Sequence, residues 1–422
     1  MRVLWVVNKP IPAISEATGL PVIQSIGWLV QMGERLSENA ELTVIFPADS
    51  AQLPLQGEAG RIHYVAIKAI TLPEQLNQNS IDSIKAIISS ISPDIIQIWG
   101  TEYLHSLAVF RAVQELGMAD RTLVYLQGIL SVIKDYYWAY ITDPSIRRPT
   151  LKDRIRKTGP NLEYQDFLIR SRYEEELLKQ AVHVIGRTAW DRESVLKLNP
   201  NVHYHLCNET LRPTFYQGGW DLTLCEQHRV FVSQGYYPLK GLHLALKGIS
   251  LLRDQYPDIR LYCTGKDLTS HTLHDMIRET RYERYIRQLI DRYQLKDHVV
   301  FTGNLDAEQM KEQYLKAHVF LSASSIENSP NSIGEAMILG TPVVASDVGG
   351  VSSMLSNEKE GLLYQADRVE DMAADIDRLF RDNVLARRLS AGARERARIT
   401  HDPETNYRQL ISIYEEIARG TR

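Results

Sequence analysis

The sequence predicts an α/β chain of two doubly wound, Rossmann-like domains facing across a cleft. Three observations predict it. Short apolar runs rich in β-branched residues alternate with helix-period segments, as parallel strands buried on both faces require. The alternation stops near residue 210 and restarts near 229. The length, 422 residues, suits two domains.

The first half reads as strand "RVLWVV", helix "SIGWLVQMGERLSEN", strands "ELTVIF" and "RIHYVAI" and helix "NSIDSIKAIISSI". Strand "DIIQIW", helix "LHSLAVFRAVQELG" and strand "TLVYLQG" follow. After a polar-aromatic stretch come helix "YQDFLIRSRYEEELLKQ", strand "VHVIG", helix "AWDRESVLKL" and strand "VHYHLC". The segment "NETLRPTFYQGGWDLTLCEQH" holds Pro213, Gly218 and Gly219, has no period, and is expected to be a linker over 211–228. The second half restarts with "RVFVSQG" and runs through "IRLYCTG", "HVVFTG", "HVFLSA", "PVVASD" and "GLLY", each strand followed by a helix or turn. Residues 1–210 are thus expected to form one domain and 229–400 the other. The amphipathic stretch 401–422 is expected to cross back to the first.

Composition narrows the function. The net charge of −4 argues against general nucleic-acid binding, which needs a cationic excess. Cys207, Cys225 and Cys263 are too scattered for a metal site and read as reduced thiols of a cytosolic protein. The apolar run at the start is cut at Asn8-Lys9-Pro10, too early for a secretory leader, and no stretch approaches a membrane span. There is no G-x-G and no Walker sequence, which disfavours a dinucleotide dehydrogenase or a P-loop enzyme. Asp375 and Asp377, in "DID", lie in an amphipathic helix pattern and read as its solvated face.

The most informative stretch is "SASSIENSPNSIGEAMILG". Strand "HVFLSA" ends near Ala323, and Glu327 follows in a polar loop. Asn331 or Ser332 is expected to cap a helix that opens near Ile333, with Glu335 in its first turn. Two carboxylates then flank a crevice at a strand's carboxyl end, beside a helix N-terminus. Carboxylates accept from vicinal hydroxyls, and helix N–H groups suit phosphate. Together these groups describe a site for a sugar nucleotide.

Glu327, seven residues, Glu335 and then "AMILGTPVVASDVGG" resemble the signature of the retaining glycosyltransferases of family 4, which have the GT-B fold. "FVSQGYYPLKGLHLAL" resembles that family's strand and loop carrying Lys-Gly, "VVFTG" its next strand, and "CNETLRPTFY" the end of its first domain. The resemblance implies a retaining transfer of a sugar from a nucleotide sugar, such as a UDP- or GDP-sugar, without a metal. The acceptor would be a glycan or lipid-linked glycan, as in bacterial surface polysaccharide synthesis. It implies that Glu335 holds the donor ribose, Glu327 contacts hydroxyls of the transferred sugar, and Lys240 contacts the diphosphate. Asn331, Ser332, Gly235 and a glycine after the first strand, best matched by Gly27, would complete the donor site. The family's Gly-Arg is replaced by Gln234-Gly235, so Lys266 is the candidate for the second cation. On the acceptor side, Glu102, His105 and Arg187 follow strand ends, and Gln127 stands where the family often has a histidine. The stretch 136–159 mixes aromatics with Arg147, Arg148, Lys152, Arg154, Arg156 and Lys157, a composition suited to peripheral contact with the inner face of a membrane. Two other readings remain at this stage: a sugar-nucleotide epimerase on the same fold, and a sugar-nucleotide-binding protein without transferase activity.

Overall fold

The computed structural model describes residues 1–22, 28–149, 151–156, 159–269 and 279–420. For Trp28, Leu151, Lys152 and Arg156 it describes the backbone alone. The chain divides into two compact units. One comprises Met1–Val132, Leu168–Arg212 and His401–Arg422, the other Ile133–Phe167 and Pro213–Thr400.

The first unit is built on a sheet of strands β1 (Arg2–Val6), β2 (Glu41–Ala48), β3 (Gln56–Ala59), β4 (Ile62–Lys68), β5 (Ile95–Trp99), β6 (Thr122–Tyr125), β7 (His183–Gly186) and β8 (His203–Leu206). Their order is β3-β4-β2-β1-β5-β6-β7-β8. All pairings are parallel except the β3–β4 hairpin, a short polar strand that the alternation of apolar runs does not reveal. Side chains alternate across the sheet, so each face has its own core. Val3, Trp5 and Val7 pack with Leu29, Met32 and Leu36 of the helix Trp28–Asn39 and with Tyr407, Leu410 and Tyr414 of the helix Pro403–Gly420. Leu4 and Val6 pack with Ile81, Ile84 and Ile88 and with Leu107 and Phe110 on the other face. The last helix is pinned by a buried chain of hydrogen bonds. The Trp5 indole donates to Tyr414 Oη at 3.0 Å, and that hydroxyl donates to Gln97.

The second unit carries β9 (Arg229–Val232), β10 (Arg260–Cys263), β11 (Val299–Phe301), β12 (Val319–Ser322), β13 (Val343–Ser346) and β14 (Leu362–Tyr364). The order β11-β10-β9-β12-β13-β14 is fully parallel. Counted from β9, this is the Rossmann order 3-2-1-4-5-6. The chain first moves outward from β9 and then returns to its other side with β12. The crevice beyond the carboxyl ends of β9 and β12 is therefore the topological switch point, where open α/β sheets place ligands.

Two expected boundaries move. Residues 133–167, assigned by sequence to the first domain, group with the second unit: Tyr137 packs its ring tilted against Tyr164 and edge-on against Phe167, and Tyr285 of the second unit is hydrogen-bonded to Thr142. Periodicity cannot say which sheet such an aromatic excursion will cover. The expected linker is also largely docked. Trp220 is buried, its backbone N–H donates to Leu339 and its indole to Ala317, each at 2.7 Å. Among the described residues no helix is long and apolar enough to cross a membrane.

Candidate active site

The two loops at the second switch point are locked together. The loop after β9 carries Lys240 and the loop after β12 carries Glu327. Lys240 Nζ lies 2.6 Å from Glu327 Oε1, and the side chains are only 19% and 11% exposed. Ser324 Oγ donates to the same carboxylate oxygen at 2.6 Å. The Ser325 N–H donates to Leu239 O at 2.8 Å, which fixes one loop on the other. Burial opposes the charge on Lys240, but Glu327 and the adjacent Tyr237 outweigh it, so the ammonium's pKa is raised. Burial pushes the Tyr237 phenol up to about 12.

The glycines of the signature are explained by close approach. Gly241 has φ +68°, and a Cβ there would stand 1.8 Å from the carbonyl oxygen of Ala323. Gly349 has φ +54°, and its Cβ would stand 2.0 Å from the carbonyl oxygen of Glu327, which accepts the Gly350 N–H at 3.0 Å. These glycines let two backbones touch behind Lys240 and Glu327. Gly241→Ala is therefore expected to destabilise the second unit by about 2–3 kcal/mol, combining left-handed strain with a backbone clash. Urea denaturation measures this; a change below about 0.5 kcal/mol would contradict the packing account.

The helix after this loop spans Asn331–Leu339, with Pro330 as N-cap and no side-chain cap. The expected caps, Asn331 and Ser332, are instead its first two residues, because Pro330 already supplies the extended residue before the helix. Glu335 is the fifth residue, one position beyond the expected first turn. It is 5% exposed in a helix buried from Ile333 to Leu339. Tyr314 has one hydroxyl proton to share between Ser332 O at 3.1 Å and Glu335 Oε2 at 3.4 Å. Gly235 is buried under the Lys240 loop, where a Cβ would press on Cys263 Sγ at 2.6 Å; packing requires this glycine. Lys266 is exposed in the turn after β10, at the carboxyl side of the same sheet. Gly27 lies outside the described residues. Asp375 and Asp377 are held by ion pairs to Arg378 and Arg381.

In the first unit, β1 and β5 flank the corresponding switch point. His105 Nε2 is 2.8 Å from Asn8 Oδ1 in the loop after β1, and burial, then Lys9, brings its pKa down to about 4. Burial also raises the Glu102 carboxyl. Gln127 and Arg187 are brought together by a residue that sequence reasoning did not single out. Glu209 accepts from Gln127 Nε2 at 2.9 Å and pairs with Arg187 at 2.6 Å, with the Arg187 and Glu209 side chains 4% and 2% exposed.

Glu174 was also missed. It is wholly buried and accepts from Thr101 Oγ1 at 2.7 Å and from the Ser131 N–H at 3.0 Å. Burial pushes its pKa from 4.5 to about 7, with the Glu102 charge adding to the rise. The folded state therefore holds this proton more tightly than the unfolded chain. The resulting stability is full below about pH 4.5 and lost as pH rises through about 7, a loss of about 3 kcal/mol. Glu174→Gln should remove that loss. The difference in unfolding free energy between variant and wild type should grow from pH 5 to pH 8, whereas parallel curves would contradict the assignment. Glu174 lies in no motif, and Glu209 lies in "CNETLRPTFY", where nothing in the pattern marks it for burial.

Comparison with known proteins now bears on these geometries. The family model "Glycosyl transferases group 1" matches residues 225–396, from the start of the second sheet to beyond its last strand. Those residues are similar to that family. Lys240, Glu327 and Glu335 lie within the matched stretch. The chain is 27% identical over 182 residues to the putative glycosyltransferase YtcC of Bacillus subtilis, covering 43% of each. It is 26% identical over 183 residues to glycogen synthase of Mycobacterium tuberculosis, covering 43% of this chain and 41% of that one. The matches thus span less than half the length of these relatives. Solved structures extend the likeness to the whole chain. Sucrose-phosphate synthase from Thermosynechococcus elongatus superposes with a TM-score of 0.72 at 18% identity, covering 99% of both chains. HepE of Anabaena, solved in complex with UDP, gives 0.68 at 16% identity, covering 99% of this chain and 100% of that one. At these identities the likeness establishes the fold: two Rossmann-like units in one chain, the GT-B class.

Proposed function

We propose that the protein is a retaining glycosyltransferase that moves a sugar from a UDP- or GDP-sugar to a glycan or lipid-linked glycan acceptor in bacterial surface polysaccharide synthesis. The observation that carries this reading is the Lys240–Glu327 pair at the switch point of the second unit, within the matched stretch. A part-buried ammonium fixed by one carboxylate keeps further N–H donors for a second anion, and a diphosphate can take them up. HepE's structures with UDP and with UDP-glucose make UDP-sugars the first donors to test.

In this mechanism Glu335 accepts from the ribose hydroxyls and Glu327 from hydroxyls of the transferred sugar. Lys240 and the N–H groups of Asn331 and Ser332 stabilise the charge that develops on the leaving diphosphate. Lys266 supplies the second positive charge in place of the family's arginine. Gly235 keeps the Lys240 loop close to the sheet, and the segment around Gly27 approaches the phosphates. The acceptor hydroxyl attacks on the face from which the diphosphate leaves, and a donor phosphate oxygen takes its proton. Retention follows, and no metal is required. Glu102 and His105 orient the acceptor, while Gln127 and Arg187, both held on Glu209, shape the surface behind them. Tyr136, Tyr140, Arg147, Arg148, Arg154 and the 74% exposed Ile155 are all exposed, a composition suited to an anionic membrane surface. The site of action would be cytoplasmic.

The test is to incubate the protein with UDP- and GDP-sugars, without metal, and follow released nucleoside diphosphate and the anomeric proton signals of the sugar product. Release with retained configuration supports the reading. Inverted product overturns retention. A sugar nucleotide altered in its sugar with no diphosphate released would indicate an epimerase, and binding without turnover a binding protein.

A further inference from the structure

The Lys240 loop brings a second group to the same crevice. Residues Pro238–Lys240 form one 3₁₀ turn, and Tyr237 is the extended residue before it, with φ −137° and ψ 156°. Side chains three positions apart eclipse across such a turn. The Lys240 N–H donates to Tyr237 O at 3.2 Å, which closes the turn, and Pro238 and Leu239 are buried. Lys240 Nζ accordingly lies 5.8 Å from the Tyr237 ring centroid and is hydrogen-bonded to the Tyr237 hydroxyl. The Tyr236 ring packs tilted against that of Tyr237, with centroids 5.1 Å apart. An ammonium only donates, so the phenol oxygen accepts in this bond and keeps its own proton to give. Burial pushes the Tyr237 phenol up to about 12, so the proton stays on it at neutral pH. Glu163 also acts on this phenol, and its Oε2 accepts from Tyr137 Oη at 2.7 Å.

We infer that Tyr237 is a further catalytic residue, its hydroxyl donating alongside Lys240 to the diphosphate that leaves the donor sugar. The inference rests on the transferase reading and adds a neutral donor to the charged one. Lys240 has one N–H engaged by Glu327 and one by Tyr237, which leaves a third for an anion. An anion that takes this N–H comes within reach of the hydroxyl bonded to the same nitrogen. Two donors on one short turn, set before substrate arrives, stabilise charge that develops beside them without reorganising. That charge develops on the phosphate next to the sugar, and a hydrogen bond to a charged acceptor is stronger than one to a neutral group. Tyr237 therefore serves that phosphate, and not the nucleoside or its own phosphate.

The test uses Tyr237→Phe, which removes only the phenol oxygen, in the full chain. Titration calorimetry measures binding of UDP, GDP, UMP and GMP, and the unfolding temperature without nucleotide reports on the fold. The diphosphate that the wild type binds should bind about tenfold more weakly to the variant, while the matching monophosphate keeps its affinity. Glu163→Gln should leave both affinities unchanged. In a second protein, 3-fluorotyrosine at position 237 keeps the hydroxyl, so it tests the contact whatever Tyr237→Phe does to the fold. Its fluorine NMR signal should move on addition of the diphosphate and stay in place with the monophosphate. Unchanged diphosphate affinity in Tyr237→Phe, an equal loss for the monophosphate, or a fluorine signal that ignores the diphosphate would overturn the inference. So would an equal loss in Glu163→Gln, which would place the hydroxyl proton on Glu163. If neither UDP nor GDP binds the wild type, the donor site itself falls and the inference with it.

Discussion

Lys240→Met is expected to lower kcat about 10²–10³-fold, the loss typical when a preorganised donor to a developing anion is removed. Lys240 is a strong candidate for so large an effect because its cost is already met in the unliganded fold. Its ammonium is desolvated, charged and fixed 2.6 Å from Glu327. It need not be recruited when charge moves onto the diphosphate. Methionine keeps much of the stem's volume and removes the charge, so the fall should appear in kcat more than in donor KM. The variant also leaves Glu327 without its cation; the Lys240→Met/Glu327→Gln double variant separates that strain from lost catalysis. Donor turnover under saturating sugar nucleotide measures the effect. A fall of less than about tenfold would remove Lys240 from the leaving-group role.

The largest effect on stability is expected in the first unit. Glu209→Leu should destabilise the protein by about 3–5 kcal/mol, because it leaves the Arg187 guanidinium buried without its carboxylate. The pair is almost wholly withdrawn from water, so solvent screening cannot soften the loss. Replacing both partners by apolar side chains, Arg187→Met with Glu209→Leu, should recover most of it, since the desolvation penalty then disappears with the charges. Urea denaturation of the two single variants and the double variant measures this. A double variant as unstable as the sum of the singles would contradict the coupling.

The strands were legible because a parallel strand covered on both faces must be a continuous apolar run, and β9, β12 and β13 are buried at every position. Strand β3, a polar hairpin arm, carries no such mark. The Lys-Gly and Gly-Gly steps of the candidate site were legible as motifs. Their physical reason, two backbones touching behind Lys240 and Glu327, becomes visible only with the loops brought together. Arg187 showed itself at a strand end, whereas its partner Glu209 lies in an aperiodic segment, and burial of one glutamate among many is set by tertiary packing. The same limit applies to residues 133–167, whose aromatic rings do not specify which sheet they cover.

The central claim is a nucleotide-sugar site in which Glu335 holds the ribose. Thermal shift of the wild type and of Glu335→Ala against UDP-, GDP-, ADP- and CMP-sugars tests it most directly. A donor at about 100 times its Kd adds about 2.7 kcal/mol of stability. One nucleotide should produce that shift in the wild type and far less in Glu335→Ala. Equal shifts in the two proteins would contradict the ribose role, and no shift with any nucleotide sugar at millimolar concentration would contradict the site itself.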